Sequence, residues 1–352
     1  MIKGLVISVD AMGGDNAPAS VIEGLELIAQ KHSDVFFLIY GKQELLYHMI
    51  AKRKKLQGRY RLIDALTVIS DNESPIKAYK TGSDSSLRKA IDAVRSGEAG
   101  ACVSCGNTGA LMVTAKMVLG SLKYVKRPAI ISIFPNKKDG VVMLDLGANS
   151  ECEPINFLQF AIMGSCFAKA LFQNPNPSVG ILNIGVEEHK GRDLEKKASA
   201  ILQESKLNYK GFIEGYDLSD GSVDVVVTDG FTGNIALKVA EGVANTCMHY
   251  MKLGMKSSLI SKLGALLTMR GLNKSFARSD PRKYNGAMFV GLNGIVVKSH
   301  GSSDHIAFAN AVEVSIKLAK HNVNQRISSM IHEYHAEDQP SIVSKIKHSL
   351  GL

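Results

Sequence analysis

The stretch VDVVVTDGFTGNIALK, from Val223 to Lys238, changes its pattern halfway along. Residues 223–227 are mostly β-branched and apolar, which predicts a buried strand. Residues 228–234 are small and polar and include two glycines, and from Ile235 onward apolar residues recur at helical spacing. A strand that runs into a glycine turn and a helix start leaves backbone N–H groups free. Such groups bind anions, and phosphate in particular.

The same pattern occurs twice more along the chain. Residues 99–104 (AGACVS) precede the turn CGNTGA and an apolar helix, and residues 291–298 (GLNGIVVK) precede SHGSSD and another helix. Strands that alternate with helices in this way predict an α/β fold with a mostly parallel sheet. In such folds ligands bind at the carboxyl ends of the strands. We therefore expect the three turns to form one composite anion site.

Length and composition indicate a large globular protein. With 352 residues and 45% hydrophobic content, the chain can bury one large core or two interlocked lobes. We assign residues 1–335 to a single domain and residues 336–352 to a polar tail. The sequence begins directly with a strand pattern, and no apolar run approaches the ~20 residues of a spanning helix. The longest run, residues 157–172, is predicted to be a buried or dimer-interface helix.

Cysteine usage points to a reducing compartment. Five cysteines, an odd number without secretory features, indicate free thiols and a cytoplasmic location. Cys102 and Cys105 form a CxxC pattern, but a zinc site would need a second pair or nearby histidines. We interpret the pair as the small-residue end of a strand, and we predict no metal and no cofactor.

Positive charge is concentrated in residues 250–283. This segment holds eight basic residues and one acid, so it accounts for +7 of the net charge of +9. Its partner should be acidic: a lipid surface, an acidic protein or nucleic acid. Over residues 248–276 the pattern predicts an amphipathic helical segment that meets a membrane surface or an amphipathic partner, with core packing as the alternative. The apolar stripe and its basic flanks comprise Leu259, Leu263, Leu266, Leu267, Lys256, Lys262 and Arg270.

Several familiar catalytic motifs are missing from the sequence. There is no Walker A motif, no GxGxxG fingerprint after a strand and no GxSxG elbow. The HxxxxD pair of glycerolipid acyltransferases is also missing, because His305 lies five residues after His300. A covalent serine or a bound nucleotide is therefore not supported. Glycine-rich anion loops could instead position phosphate as the nucleophile itself.

Seven blocks between Val9 and Phe308 resemble bacterial phosphate acyltransferases, in the same order. They are DAMGGDNAP, SCGNTGA, RPAI, LDLGAN, ILNIGVEEHKG, VVTDGFTGN and GLNGIVVKSHGSSD. The resemblance implies a homodimer with a three-layer α/β/α Rossmann-like fold, similar to isocitrate dehydrogenase and phosphotransacetylase. It implies that fatty acyl-ACP (acyl carrier protein) and inorganic phosphate react to give acyl phosphate for phospholipid synthesis.

The resemblance also implies where the enzyme works. A pair of protruding helices over residues 253–272 would contribute to membrane association of a cytoplasmic, peripheral enzyme. The acyl phosphate would pass to a membrane acyl-phosphate:glycerol-3-phosphate acyltransferase. No nucleic-acid partner is expected.

The resemblance, with the loops above, gives the predicted site. Lys190 or Lys298 would neutralise developing charge, His300 would donate to the oxyanion or protonate the leaving thiolate, and Asn234 would help to hold phosphate. For each side chain the alternative is a hydrogen bond that only braces its loop. The predicted phosphate-binding residues are Asp10, Gly13, Gly14, Asp15, Asn107, Thr108, Gly109, Asp229, Gly230, Gly233 and Ser302.

Other functions fit parts of the sequence. A phosphotransacetylase-like enzyme acting on a short acyl-CoA would share the loops but would not need the apolar and basic helical segment. A dehydrogenase of the related fold would need a nicotinamide fingerprint or a metal-binding acid cluster, neither of which is evident. A non-catalytic membrane or carrier-protein scaffold could keep the fold, but it would not need three intact glycine loops.

Overall fold

A computed structural model describes residues 4–138, 140–276 and 280–337. The strands are β1 (Leu5–Asp10), β2 (Val35–Gly41), β3 (Tyr60–Asp64), β4 (Ala101–Ser104), β5 (Ala129–Phe134), β6 (Val141–Leu144), β7 (Ser178–Leu182), β8 (Asn208–Ile213), β9 (Val225–Val227), β10 (Ala287–Val290) and β11 (Ile295–Lys298). The helices are α1 (Ala19–Lys31), α2 (Gln43–Ala51), α3 (Pro75–Thr81), α4 (Ser86–Arg95), α5 (Thr108–Leu119), α6 (Pro154–Phe172), α7 (Asp193–Gln203), α8 (Gly215–Asp220), α9 (Gly230–Lys256), α10 (Leu259–Phe276), α11 (His305–Lys320) and α12 (Val323–Glu337). Residues 338–352, most of the predicted tail, lie outside the described residues.

The strands form one mixed sheet in the order β3-β2-β1-β4-β11-β10-β5-β6-β9-β7-β8. Three neighbouring pairs are antiparallel, namely β11 with β10, β10 with β5, and β5 with β6. The other pairs are parallel. The predicted mostly parallel α/β sheet is therefore confirmed. Three successive reversals make β6, β9, β7 and β8 run opposite to β1, β4 and β11.

Helices cover both faces of the sheet and bury it. On one face α1, α6, α7, α11 and α12 enclose the largest apolar cluster, which includes Phe157, Phe160 and Phe308. On the other face α3, α4 and α5 cover the half that contains β1 and β4. The start of α9 and helix α8 cover part of the opposite half. The result is three layers, as the resemblance implies.

Helix α6 is the long apolar run of the sequence. Pro154 occupies its first turn, a Glu153–Asn156 capping box satisfies its start, and the left-handed Gln173 (φ 57°) ends it. By length and hydropathy this helix could cross a membrane, but 78% of its apolar window is buried inside the protein. The prediction of a buried helix is confirmed.

Helices α9 and α10 form a hairpin that extends from the body of the protein. Within α9 only Gly230 and Gly233 are buried, and α10 packs against α9. The apolar side chains of Leu259, Leu263 and the following leucine pair are exposed. Exposure favours a surface role over core packing. The side chain of Arg270 lies outside the described part of the chain.

Two strand predictions differ from the structure. The pattern of residues 66–70 also predicts a short strand, but these residues form none; the nearby strand is β3, and Thr67 makes only an isolated bridge to Ser85. The strand predicted over 291–298 is shorter, because only residues 295–298 form β11 and residues 291–294 form the turn of the β10–β11 hairpin. Strand β3 lies at the edge of the sheet and is only partly buried. It therefore lacks the continuous apolar run by which buried strands are found.

Candidate functional site

The glycine turns lie in two separate groups of loops. The first loop group follows β1, β4 and β11, and the second loop group follows β6, β7 and β9. Within the described residues, hydrogen bonds join loops inside each group and none joins one group to the other. The expectation that all three turns share one sheet edge is wrong. The reason is that β9 runs opposite to β4 and β11, and a strand's direction cannot be read from its apolar pattern.

In the first loop group the turns pack tightly on one another. The buried Asp10 carboxylate accepts a hydrogen bond from Ser104 Oγ at 2.7 Å. Gly13 lies against Gly106, where a side chain would meet the backbone. A Cβ on Gly14 would meet the Cys105 side chain, and Asp15 N donates a hydrogen bond to the Gly301 carbonyl at 2.9 Å. Asp10, Gly13 and Gly14 therefore hold the turns together, whatever else they bind.

The start of α5 is braced by a side chain that we predicted to lie at the phosphate site. Asn107 Oδ1 accepts from Ala110 N at 3.0 Å, and its Nδ2 donates to the carbonyls of Asp71 and Glu73. Pro75 covers Gly109. The Asn107 side chain thus has a bracing role, and only the N–H groups of the first turn, including that of Thr108, remain suited to an anion.

Lys298 and His300 differ sharply in accessibility. The Lys298 ammonium donates to the carbonyls of Cys105 and Ser299 at 2.8 and 2.7 Å, and burial lowers the pKa of Lys298. His300 is exposed, and its Nδ1 lies 2.9 Å from Ser302 Oγ and 3.3 Å from Ser302 N. In the neutral tautomer in which Nδ1 accepts from these two groups, Nε2 carries the proton and can donate outward. Of the two, His300 is the better candidate for chemistry.

The predicted strand end at the CxxC pattern is present in the structure. Cys102 lies in β4, Cys105 follows it directly, and both thiols are buried and free. Burial raises the pKa of the Cys105 thiol to about 11. The thiol therefore stays protonated and unreactive at neutral pH.

A buried carboxylate organises the second loop group. Asp145 accepts hydrogen bonds from the backbone N–H groups of Ile130, Gly147, Ala148 and Asn149, and from the Asn149 side chain. Burial raises the pKa of Asp145, and these donors oppose that shift. The carboxylate therefore connects the start of β5 to the loop after β6.

The start of α9 packs directly on this loop. Asp229 caps the helix by accepting from Thr232 N at 2.6 Å, and it also pairs with Arg192. A Cβ at Gly233 would lie 1.9 Å from the Asp145 carbonyl oxygen, so only glycine fits there. Asn234 is exposed beside Gly147, whose φ of +128° also requires glycine.

The loop after β7 presents Lys190. The Lys190 N–H donates to the Glu187 carbonyl, and the Lys190 carbonyl accepts from Asn183 Nδ2 at 3.2 Å. Arg192 ties the end of this loop to Asp229 at the start of α9. Among the described residues the Lys190 ammonium has no ion-pair partner. It is therefore available to an anion.

Arg127 is a candidate that the predicted set of site residues does not contain. It lies in the loop before β5, is exposed, and has no ion pair or hydrogen bond within the part of the chain that the structure describes. Its charge acts on Cys152, which in turn neighbours Asp145, Asp229 and Gly230 N. Arg127 therefore lies at the rim of the second loop group. The block RPAI was the signal that could have identified it.

The fold and these loops together define a three-layer α/β protein of the phosphotransacetylase fold. A phosphotransacetylase from Streptococcus pyogenes superposes with a TM-score of 0.60, at 15% identity, over 90% of this chain and 94% of that one. A branched-chain phosphotransacylase from Enterococcus faecalis gives 0.55 at 12% identity, over 90% and 99% of the two chains. At these identities the likeness concerns the fold alone.

The sequence relatives identify the family. The family described as fatty acid synthesis protein matches residues 5–326. A phosphate acyltransferase from Rhodospirillum rubrum is 45% identical over 333 residues, which cover 94% of this chain and 95% of the relative. One from Ehrlichia ruminantium is 44% identical over 332 residues, which cover 93% and 96%. The chain belongs to this family of phosphate acyltransferases, and the resemblance seen in the sequence is confirmed.

Proposed function

We propose that this chain transfers a fatty acyl group from acyl carrier protein to inorganic phosphate. The acyl transfer to phosphate, in fatty acid and phospholipid synthesis, rests on the match to phosphate acyltransferases over nearly the whole chain. That match is the observation that carries the proposal. The choice of the carrier protein as acyl donor is the finer step. It is supported by the net charge of +9, which favours an acidic partner.

The reaction needs two kinds of help from the protein. A phosphate oxygen attacks the thioester carbonyl carbon and forms a tetrahedral oxyanion. The C–S bond then breaks, the acyl phosphate forms, and the thiolate leaves with its electron pair and takes up a proton. Donors must therefore hold phosphate and the oxyanion, and an acid must serve the sulfur. No protein nucleophile is required.

The two loop groups can form two walls of one cleft. In a twisted sheet each strand is rotated by about 20–25° relative to its neighbour. Over the four steps from β11 to β9 this twist adds up to about 80–100°. The ends of β11 and β9 therefore do not point in opposite directions, although the two strands are antiparallel. We assign phosphate to the second loop group, where the first turn of α9, Asn234, Lys190 and Arg127 offer positive potential. We assign the first loop group to the thioester, with His300 as the exposed donor. Lys298 would brace the first loop group through its hydrogen bonds to the Cys105 and Ser299 carbonyls.

The effect of replacing His300 should be largest for thioesters whose thiolate is a poor leaving group. Replacing His300 with alanine should lower turnover of palmitoyl-ACP by about 100-fold or more if the imidazole protonates the thiolate. A palmitoyl thiophenyl ester needs no acid because its thiolate is stable, so the variant should process it within a few-fold of wild type. An equal loss with both esters would remove the proposed acid role.

A second copy of the chain fits an unpartnered stripe on α9. Phe231, Ile235, Val239 and Val243 repeat every four residues, and each is between 49% and 61% exposed. An apolar stripe of this kind indicates a self-association surface. We therefore propose a homodimer through α9. Sedimentation of a Val239→Asp, Val243→Asp variant tests it, because a dimeric mass would exclude this surface.

The hairpin tip suits a lipid surface. Exposed leucines of α10 lie beside Lys256 and Lys262, and apolar side chains with basic neighbours bind anionic bilayers. We propose a cytoplasmic enzyme that contacts the membrane peripherally through this tip. Its acyl phosphate, a long-chain mixed anhydride, would pass to a membrane acyl-phosphate:glycerol-3-phosphate acyltransferase. We further propose that residues 1–335 act as one domain, since a single continuous sheet spans them.

Hydroxylamine trapping tests the acyl donor. Purified protein would be given phosphate with palmitoyl-ACP or with palmitoyl-CoA, and acyl phosphate would be trapped as the hydroxamate. Product from the carrier thioester, dependent on phosphate, is the expected result. Product from the CoA ester alone would favour a phosphotransacetylase-like exchange. If neither donor gave acyl phosphate, the result would favour a non-catalytic membrane or carrier-protein scaffold.

A further inference from the structure

We infer that the acidic carrier protein docks on the end of α5 and the loop that follows it, and not on the tip of the α9–α10 hairpin. This inference rests on the proposed function. The α5 surface is defined by Lys116, Met117, Lys123, Tyr124 and Lys126. It combines positive charge with exposed apolar area beside the proposed phosphate wall.

The charge of this region is one-sided. Between Glu98 and Asp139 the sequence contains six basic residues and no acid. On the α5 surface Lys116 and Lys123 are exposed and have no ion pair among the described residues. Lys126 pairs with Glu153, but both groups are more than 60% exposed, so the pair contributes little. The surface therefore attracts an acidic partner and steers its approach.

Two apolar side chains lie among these lysines. Met117 is 59% exposed and Tyr124 is 41% exposed. The Lys123 ammonium lies 4.9 Å from the centre of the Tyr124 ring, a cation–π distance, so the two side chains form one unit. Methionine and tyrosine are enriched at protein interfaces, and the rim around them is polar. An acidic protein with a small apolar contact fits this arrangement better than a lipid bilayer.

The two candidate docking surfaces differ in their distance from the second loop group. Lys123 precedes Arg127 by four residues, so it lies at most about 14 Å away along the chain. The phosphopantetheine arm of a carrier protein has the extended length of about five residues, or about 18 Å. A carrier on the α5 surface can therefore place its thioester beside Arg127 and the second loop group.

The hairpin tip lies beyond that reach. Helix α9 contains 27 residues, so Lys256 lies about 40 Å from Gly230. A carrier bound at Lys256 and Lys262 would leave its thioester about 20 Å short of the first turn of α9. The hairpin is then free to contact lipid while the carrier delivers the acyl group at the α5 surface. The sequence predicted an acidic partner for residues 250–283, whereas this inference places the acidic carrier protein on the α5 surface.

Charge reversal at the α5 surface tests this inference. The Lys116→Glu, Lys123→Glu variant should raise the KM for palmitoyl-ACP about tenfold or more, because like charges would meet the carrier. Its KM for phosphate, and its turnover of palmitoyl pantetheine, which has no carrier protein, should stay within twofold of wild type. A Lys54→Glu, Lys55→Glu variant carries the same change in net charge on a distant surface and is the matched control.

The Lys256→Glu, Lys262→Glu variant tests the rival surface. It should lose binding to phosphatidylglycerol vesicles and keep its KM for palmitoyl-ACP. A rise in that KM for the tip variant, with none for the α5 variant, would overturn the inference. So would an equal loss with palmitoyl pantetheine in the α5 variant, which would indicate a structural or dimer contact. If the wild-type protein used no thioester at all, the proposed function would fail, which is a different result.

Discussion

Replacing Arg127 with alanine should lower kcat/KM for phosphate by about 10- to 100-fold, which is the expected cost of losing a charge-assisted hydrogen bond worth about 1.5–3 kcal/mol. The guanidinium is exposed, has no partner among the described residues, and lies near enough to Cys152 for its charge to offset part of the rise that burial causes in the pKa of that thiol. Its fork of N–H groups matches two phosphate oxygens at once. Steady-state kinetics with phosphate varied at saturating palmitoyl-ACP measure the effect.

The controls separate binding from folding. Because Arg127 makes no hydrogen bond or ion pair with any described residue, its loss should leave the melting temperature within about 2 °C of wild type. Arg127→Lys should recover part of the activity, since it keeps the charge but not the fork. Lys126→Ala, one residue away and paired only at the surface, should behave as wild type toward phosphate. Normal phosphate kinetics for Arg127→Ala would contradict the proposed phosphate wall.

A methyl group at Gly233 should have the largest effect on stability. A Cβ there would lie 1.9 Å from the Asp145 carbonyl oxygen, which is backbone and cannot turn aside. We expect Gly233→Ala to lower the free energy of unfolding by about 3 kcal/mol. Phosphate turnover should fall as well, because α9 must shift and take Asn234 with it. Urea unfolding and the phosphate assay measure the two effects.

Another glycine of the same helix provides the control. A Cβ at Gly242 would meet nothing within 4 Å. Gly242→Ala should therefore stabilise α9 by about 0.5–1 kcal/mol through helix propensity alone. If the two alanine variants unfolded alike, the close packing of α9 on the Asp145 loop would not matter for stability.

Local patterns predicted most of the elements. Helix α6 contains the apolar run of residues 157–172 from which a buried helix was predicted. The turn after β9 was also predicted, but the helix begins at Gly230 and not at Ile235, so most of the predicted turn is the first turn of α9. Asp229 caps that helix, as a short acid at this position should. Each of these signals is carried by residues within about ten positions of one another.

The direction of the strands and the hydrogen-bond partners of the site side chains could not be predicted from local patterns. An apolar strand has the same pattern in either direction, so the three antiparallel pairings that separate the loop groups leave no local trace. Asn107 has the composition of a phosphate ligand, yet its amide is occupied by carbonyls from residues 71 and 73. Arg127 is one surface arginine among many until the fold brings it beside the start of α9.

Helix α9 connects the proposed phosphate site in the second loop group to the tip of the α9–α10 hairpin. Its first turn is fixed by Asp229, Gly230 and Gly233, and its far end lies about 40 Å away. A tilt of about 10° at the base would move the tip by about 7 Å. The reverse also holds, since a tip that is anchored in a surface limits the angles open to the base. Membrane attachment would then orient the cleft as well as locate it.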